Sequence, residues 1–211
     1  MNIFPEKLVK CIVALFLLIS VSSNAQNIDI RILRSLNSPD NLPSDGFFKF
    51  VSNSDAYVVV GIPAVIAVAG LIKKNDQPLR KAYVSFAAVV ISSGVTQVLK
   101  YTVNRDRPFV TYPDIVKKST GGSPSFPSGH TSSAFALATS VTLSYPKWYI
   151  AAPFYAWAGT VAYSRMDLGV HYPSDVFAGA LVGAGSAWLT HFINKKLTKK
   201  PWQKSCDCQK Y

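Results

Sequence analysis

The sequence predicts an all-α membrane protein, a polytopic bundle of about five to six spanning helices. Only 16% of its 211 residues are charged and 49% are hydrophobic, whereas a soluble domain carries about 25% charged residues. The apolar residues form blocks close to the length that spans a bilayer, and the charges lie between them. The blocks are rich in Ala and Gly and lack the alternation of strands, which favours helices.

The first segment, residues 1–25, resembles a secretory signal peptide. Lys7 and Lys10 form a positive region, Cys11–Val21 is an apolar stretch of signal-peptide length, and Ala25 ends a small-residue cleavage site. An uncleaved first membrane helix is the alternative. In both interpretations the residues that follow are delivered across a membrane.

Residues 26–54 are predicted to form an amphipathic segment that lies on the bilayer surface. Four apolar residues recur there at helical spacing and three phenylalanines follow them: Ile28, Ile32, Leu33, Leu36, Phe47, Phe48 and Phe50. Packing of the same face against the protein core is the alternative interpretation.

The membrane domain is predicted to occupy residues 55–194, where five apolar blocks follow one another: Tyr57–Ile72, Ala82–Leu99, Thr131–Tyr145, Trp148–Tyr163 and Val176–Ile193. Several are shorter than the roughly 17–25 residues of a spanning helix, so flanking residues must extend them. Gly179 and Gly183 are spaced for close packing of two helices. Beyond the domain, Cys206 and Cys208 indicate neither a disulfide framework nor a metal site.

Lys and Arg outnumber Asp and Glu by 22 to 11, which gives a formal net charge of +11. Such an excess could indicate nucleic acid, anionic lipid or membrane topology. The cations lie in short loops and in a basic cytoplasmic tail, residues 195–211, so we favour topology and a lipid bilayer, and expect no nucleic-acid partner. The positive-inside rule places the Lys73–Lys81 loop in the cytoplasm, and residues 100–130 and 164–175 together on the outer face.

The outer loops nevertheless carry cations that the positive-inside rule disfavours there, and a bound phosphate would explain them. These cations are Lys100, Arg105, Arg107, Lys117 and Lys118. Lys100 lies near a predicted helix end and Arg107 about two turns further on, so both can reach one anion. An Arg fork matches phosphate oxygens, and a Lys acts as a point charge.

A second cluster on this face is Ser128, Gly129 and His130, which lead directly into an apolar helix. Free backbone N–H groups at a helix N-terminus bind anions, Gly129 allows close approach, and Ser128 can donate to a phosphate. His130 would stand beside that anion with a proton to give. An ordinary helix cap is the alternative for this cluster alone.

The third cluster combines Arg165, His171 and Asp175 just before the last apolar block. Arg165 adds a cation for a phosphate. Asp175 can hold the His171 ring in one tautomer and stabilise its cation, as a carboxylate does in catalytic triads. A loop salt bridge is the alternative.

The segments K-x6-RP, PSGH and SR-x5-H-x3-D follow in this order between Lys100 and Asp175. They resemble the three-part motif of the type 2 phosphatidic acid phosphatase superfamily, in its membrane-bound lipid phosphatase branch, which is related to the vanadium haloperoxidases. The resemblance implies a phosphatase without a metal or other cofactor, in which His171 attacks phosphorus, Asp175 orients it and His130 donates a proton. The phosphoryl oxygens would be bound by Lys100, Arg107, Ser128, Gly129 and Arg165.

Two features depart from the motif's family. The membrane branch often has six spanning helices, whereas a cleaved leader leaves five here. Arg105 and Asp106 lie outside the motif and receive no role. The implied roles also require a neutral His171 and a protonated His130, so activity should peak between two apparent pKa values.

The implied function is hydrolysis of a lipid-linked phosphate or pyrophosphate through a phosphohistidine intermediate, at the outer face of a bacterial-type inner membrane. Candidate substrates are undecaprenyl pyrophosphate, which we favour, lipid A, phosphatidylglycerophosphate and phosphatidic acid. The headgroup is expected to meet the Val110–Pro124 loop and the Ile28–Val51 segment. Alternatives are phosphotransfer to an acceptor other than water, a vanadate-dependent haloperoxidase, and a non-catalytic lipid-binding protein. The sequence does not indicate an oligomeric state.

Overall fold

The computed structural model describes residues 23–40 and 42–198. The predicted signal peptide up to residue 22 and the cysteine-containing end of the tail lie outside the described residues. Within them the regular structure is helical, in seven elements: α1 Ser23–Leu36, α2 Pro43–Ile72, α3 Asp76–Val103, α4 Pro108–Thr111, α5 Gly129–Ser144, α6 Trp148–Asp167 and α7 Pro173–Thr198. The predicted all-α fold is confirmed, and every predicted apolar block falls on a helix.

Three helical stretches are long and apolar enough to cross a membrane, by length and composition: Pro43–Ile72, Asp76–Thr111 and Pro173–Thr198. α5 and α6 are shorter, with 16 and 20 residues. The predicted number of spans and the membrane side of each loop therefore stay predictions.

Local signals set the ends of the two longest helices. Pro43 is the first residue of α2, and the Asp45 carboxylate accepts a hydrogen bond from the Leu42 amide at 3.3 Å. Asn75 caps α3 through its side chain, and Asn104 ends α3 in the left-handed region with a φ of 47°. Because α3 ends there, Lys100 lies in its last turn, and the following residues turn back toward the bundle.

The core of the bundle is α5, which packs against α3, α6 and α7. Its buried face is small and apolar, with Ala134, Leu137 and Ala138 fully buried. Gly179 of α7 allows close contact, because a Cβ there would lie 2.6 Å from the Ser128 carbonyl oxygen. A Cβ at Gly183 would overlap the backbone of the same helix, α5. The predicted packing role of these two glycines is thus supported by the geometry.

The predicted segment of residues 26–54 needs two corrections. α1 buries Ile30 and Leu33, together with the charged Asp29, whereas Ile28 and Ile32 are exposed. The buried face is therefore shifted from the predicted one, because Asp29 has charged and polar partners below α1. The rest of the segment is not separate, since α2 continues without a break from Pro43 into the apolar block.

Candidate active site

A cavity of about 280 Å³ lies where α3 and α6 end and where α5 and α7 begin. Helix ends bring together unpaired backbone groups and the loops that the three sequence clusters occupy. The cavity is lined by predicted site residues and by one loop: Lys100, Arg107, Gly129, His130, Arg165, His171 and residues 120–123. The clusters that the sequence separates thus meet at one place.

Two of the predicted residues do not line this cavity. Asp175 is fully buried behind His171. Ser128 is fully buried as well, and its hydroxyl accepts a hydrogen bond from Thr131 at 3.0 Å. The Ser128 hydroxyl thus has a partner in the first turn of α5, and its predicted role as a phosphate ligand stays a prediction.

His171 is 2% exposed and contacts charged groups on both ring nitrogens. Its Nδ1 lies 3.6 Å from the Asp175 Oδ2, and its Nε2 lies 3.4 Å from the Arg107 Nη1. The tautomer that suits both neighbours carries the proton on Nδ1 and the lone pair on Nε2, at the cavity. Burial lowers the pKa of His171 to about 4, although the Asp175 carboxylate acts in the opposite direction.

The carboxylate of Asp175 is held by three donors. Ser125 Oγ and the Tyr172 amide donate to Oδ2 at 2.5 and 2.9 Å, and Arg105 Nη1 donates to Oδ1 at 2.7 Å. The His171 Nδ1 is further away than a hydrogen bond allows, so Asp175 acts on the ring as a nearby fixed charge. Contacts between an orienting carboxylate and a histidine often shorten when a substrate binds.

Asp29 is a functional candidate that the sequence did not indicate, and Arg105, an outer-face cation without an assigned role, is a second one. Arg105 Nη2 donates to Asp29 Oδ2 at 3.0 Å, and Ser174 donates to the same carboxylate through its amide at 2.9 Å and through its hydroxyl. Asp29 of α1 is thereby joined to Asp175 of α7. The sequence signal for Arg105 was its position on the predicted outer face, where the positive-inside rule disfavours cations.

The remaining cations of the outer loops have structural partners. Lys118 forms an ion pair with Asp45 at 2.9 Å, in which both side chains are nearly buried. Lys117 lies over the Phe109 ring, with its Nζ 4.7 Å from the ring centroid. The phosphate explanation predicted for all these cations is therefore retained for Lys100 and Arg107, which line the cavity.

The N-terminus of α5 opens on the same cavity. Ser128 caps α5 without a side-chain hydrogen bond, so the first amides of the helix keep their donors. Gly129 and His130 line the cavity at this point. Among the described residues, no group of three His, Cys, Asp or Glu side chains is placed to hold a metal ion.

The family model described as the PAP2 superfamily matches residues 82–199, which is more than half of the chain. The chain belongs to the PAP2 superfamily. The match includes every residue that lines the cavity, so the resemblance inferred from three short motifs extends over α3 to α7.

Three relatives illustrate what this PAP2 chain is similar to. A lipid A 4′-phosphatase of Bacteroides thetaiotaomicron is 37% identical over 97 residues, 46% of this chain and 43% of that protein. An undecaprenyl-diphosphatase of Sulfolobus acidocaldarius is 28% identical over 184 residues, 83% of this chain and 86% of that protein. The crystal structure of Aquifex aeolicus LpxE superposes with a TM-score of 0.68 at 26% identity, over 78% of this chain and 95% of that chain.

This PAP2 chain spans less than half the length of the Bacteroides protein. The solved LpxE structure, by contrast, is covered almost completely. The shared part is thus the helical bundle that carries the cavity.

Proposed function

We propose that this PAP2 protein is a metal-independent phosphatase that releases phosphate from a lipid-linked phosphate or diphosphate through a phosphohistidine intermediate. The observation that carries the proposal is the cavity itself, in which Lys100, Arg107 and Arg165 line the same space as a histidine that has a carboxylate beside its Nδ1. Lipid A and undecaprenyl diphosphate are the substrates named for relatives, which supports a lipid substrate.

In the first step the lone pair of His171 Nε2 attacks the terminal phosphorus. The bond that breaks joins this phosphorus to the leaving oxygen, which is the ester oxygen of a lipid monophosphate or the bridging oxygen of a lipid diphosphate. The leaving oxygen takes a proton from His130. Burial and the neighbouring cations lower the pKa of His130 to about 3, so the negative charge of the bound substrate must raise that pKa before the proton can be donated. Lys100, Arg107, Arg165 and the Gly129 amide stabilise the negative charge that spreads over the phosphoryl oxygens. Asp175 stabilises the positive charge that the His171 ring acquires.

In the second step a water molecule attacks the phosphorus of phosphohistidine. His130, now neutral, accepts the water's proton, and the nitrogen–phosphorus bond breaks. Inorganic phosphate leaves, and both histidines return to their starting states. The neutral state of His171 at ordinary pH, which its low pKa supports, makes the ring available as a nucleophile.

The lipid character of the substrate is supported by where the cavity lies. It opens at the end of helices that are long and apolar enough to cross a bilayer, so a headgroup can enter while its chains stay in lipid. We place this end at the outer face of a bacterial-type inner membrane, since the Lys73–Lys81 loop at the other end is basic.

The decisive assay is phosphate release by detergent-purified full-length protein in EDTA, from undecaprenyl pyrophosphate, lipid A, phosphatidylglycerophosphate and phosphatidic acid. Wild-type protein should release phosphate from at least one of them, and His171→Ala should not. Release that His171→Ala retains would refute the nucleophile, and release that occurs only when EDTA is omitted would refute metal independence. Mass spectrometry of the products distinguishes hydrolysis from transfer to another acceptor.

The proposed orientation is tested with single cysteines placed at two exposed lysines, Lys117 and Lys74, in a chain without its native cysteines. A membrane-impermeant maleimide added to intact spheroplasts should label the cysteine at position 117 and not that at position 74. The reverse pattern would contradict an outward-facing site. Labelling of both after lysis is the control for accessibility.

A further inference from the structure

One short loop, Thr120–Pro124, contacts all three cations of the cavity. Lys100 Nζ donates to the Pro124 carbonyl oxygen at 2.5 Å, Arg107 Nε donates to that of Ser123 at 2.8 Å, and Arg165 Nη2 donates to that of Thr120 at 3.3 Å. The cations come from three different parts of the chain: the last turn of α3, the residue before α4, and the last turn of α6. The loop therefore links groups that no helix holds together.

We propose that the Thr120–Pro124 loop is the positioning element for these cations, and that Gly121 is essential because it lets the Arg107 guanidinium lie against the loop. The proposal rests on the proposed function, since it takes the cavity to be a phosphoryl site. It assigns the end of the Val110–Pro124 region to shaping the phosphate site, where the sequence analysis expected lipid headgroup selection.

The loop can orient the cations without using up their donors. A lysine ammonium has three N–H donors and a guanidinium has five. Lys100 commits one to Pro124, and Arg107 commits Nε to Ser123 and one Nη1 donor to the Val170 carbonyl oxygen. Each cation keeps at least two donors for phosphoryl oxygens. The carbonyl oxygens also place partial negative charge next to three cations that are almost buried.

Arg165 also keeps hydrogen-bond donors that the loop does not use. One Nη1 donor goes to the Ser52 hydroxyl and one Nη2 donor to Thr120, and its Nε has no hydrogen-bond partner in the described structure. A buried donor without a partner is costly unless a ligand satisfies it. A phosphoryl oxygen is the ligand that a guanidinium held in this way can receive.

Two adjacent glycines of the loop differ in their surroundings. A Cβ built at Gly121 would lie 2.6 Å from Arg107 Nη1 and 2.8 Å from its Cζ, closer than real contacts allow. A Cβ built at Gly122 would have no neighbouring atom within 4 Å. The group that must yield at Gly121 is the end of a flexible side chain, so the fold should tolerate a methyl group while Arg107 is displaced.

The test compares Gly121→Ala with Gly122→Ala in the purified full-length chain, with inorganic phosphate as the probe and ³¹P NMR as the readout. Gly121→Ala should weaken phosphate binding at least tenfold more than Gly122→Ala, which controls for the effect of alanine on the loop backbone. In an Arg107→Ala background the new methyl group has no guanidinium to collide with. Gly121→Ala should then weaken phosphate binding by less than a further twofold.

Equal losses of phosphate affinity in the two glycine variants would overturn the proposal. So would a loss of affinity from Gly121→Ala that is just as large when Arg107 has been replaced by alanine. If Gly121→Ala does not fold, the double variant with Arg107→Ala decides. Recovery of folding would support the collision, and continued failure would overturn it.

Phosphate binding requires no turnover, so this test can be separated from the proposed function. A chain that shows the predicted binding pattern but releases phosphate from no lipid would refute the phosphatase and keep the positioning loop. A chain that hydrolyses a lipid phosphate, with the two glycine variants indistinguishable, would do the reverse.

Discussion

The two ends of the bundle carry the same kinds of cation in opposite environments. At the end formed by α2 and α3, Lys73, Lys74 and Arg80 are exposed. At the cavity, the exposed fractions of Lys100 and Arg165 are 5% and 2%. α3 alone, with 28 residues, separates the two ends by about 42 Å.

The difference shows that the same types of cationic residue must be interpreted by their exposure in this protein. Exposed cations remain hydrated, and at this end we propose that they act on membrane topology. Cations removed from water close to one another are unfavourable unless hydrogen bonds or an anion compensate them. The proposed phosphate site would supply that anion for the buried cations at the cavity, and four predictions test this contrast.

The largest effect is expected for Arg165→Lys, which keeps the charge and loses the fork. The guanidinium contacts Ser52 and Thr120 at once, which a single ammonium cannot reproduce. We expect kcat/KM for lipid phosphate release to fall by about 10²–10³, the usual loss for one stabilising donor. Arg80→Lys at the other end is the matched control and should stay within about twofold. Similar losses in both variants would remove the contrast between the ends.

The next effect concerns Arg105→Met, because Arg105 holds Asp175. We expect kcat to fall by roughly 10–100-fold, since misplaced reacting groups can cost about 10²-fold. The negative charge of Asp175 would also be less neutralised, which raises the pKa of His171 and moves the acidic limb of the pH–rate profile to higher pH. Arg34→Met, which removes an exposed ion pair with Asp114, is the control. If the acidic limb of the pH–rate profile does not move, Arg105 has only a structural role.

The third prediction is the protonation of His171 in the free protein. Burial lowers its pKa from 6.5 to about 4, so the ring should stay neutral as the pH falls through 6 and 5, and protonate near 4. The chain has only three histidines, so ¹⁵N NMR of histidine-labelled protein gives few ring signals, and His171→Gln assigns the one that matters. Protonation of that ring near pH 6.5 would contradict a buried, neutral nucleophile.

The smallest effect on turnover is expected for the combined change Lys73→Gln and Lys74→Gln. These side chains are exposed and far from the cavity, so kcat/KM in detergent should stay within about twofold. The fraction of molecules with inverted orientation in the membrane should rise, because the positive-inside signal is weaker. Maleimide labelling of a cysteine at position 117 in spheroplasts measures that fraction. A large loss of detergent activity would show that the two ends are coupled.

Most of the fold could be predicted because its signals are local. Apolar blocks and their capping residues are short-range features, and each block proved helical. The meeting of Lys100, His130 and His171 could also be predicted, since all three lie at or next to helix ends on the same predicted side of the membrane. The face of α1 could not be predicted from apolar spacing, because Asp29 is buried by its contacts with Arg105 and Ser174.

The sequence by itself determined the helices, the family motif and the residue types that a phosphate site requires. Only the tertiary structure decided that Ser128 is buried against Thr131, that Arg105 contacts Asp175, and that Gly121 lies against Arg107. The physical reason is the distance along the chain between the residues that determine each feature. Helix formation depends on residues within a few turns, whereas the burial and pairing of a charge depend on side chains that become neighbours only when distant helices pack.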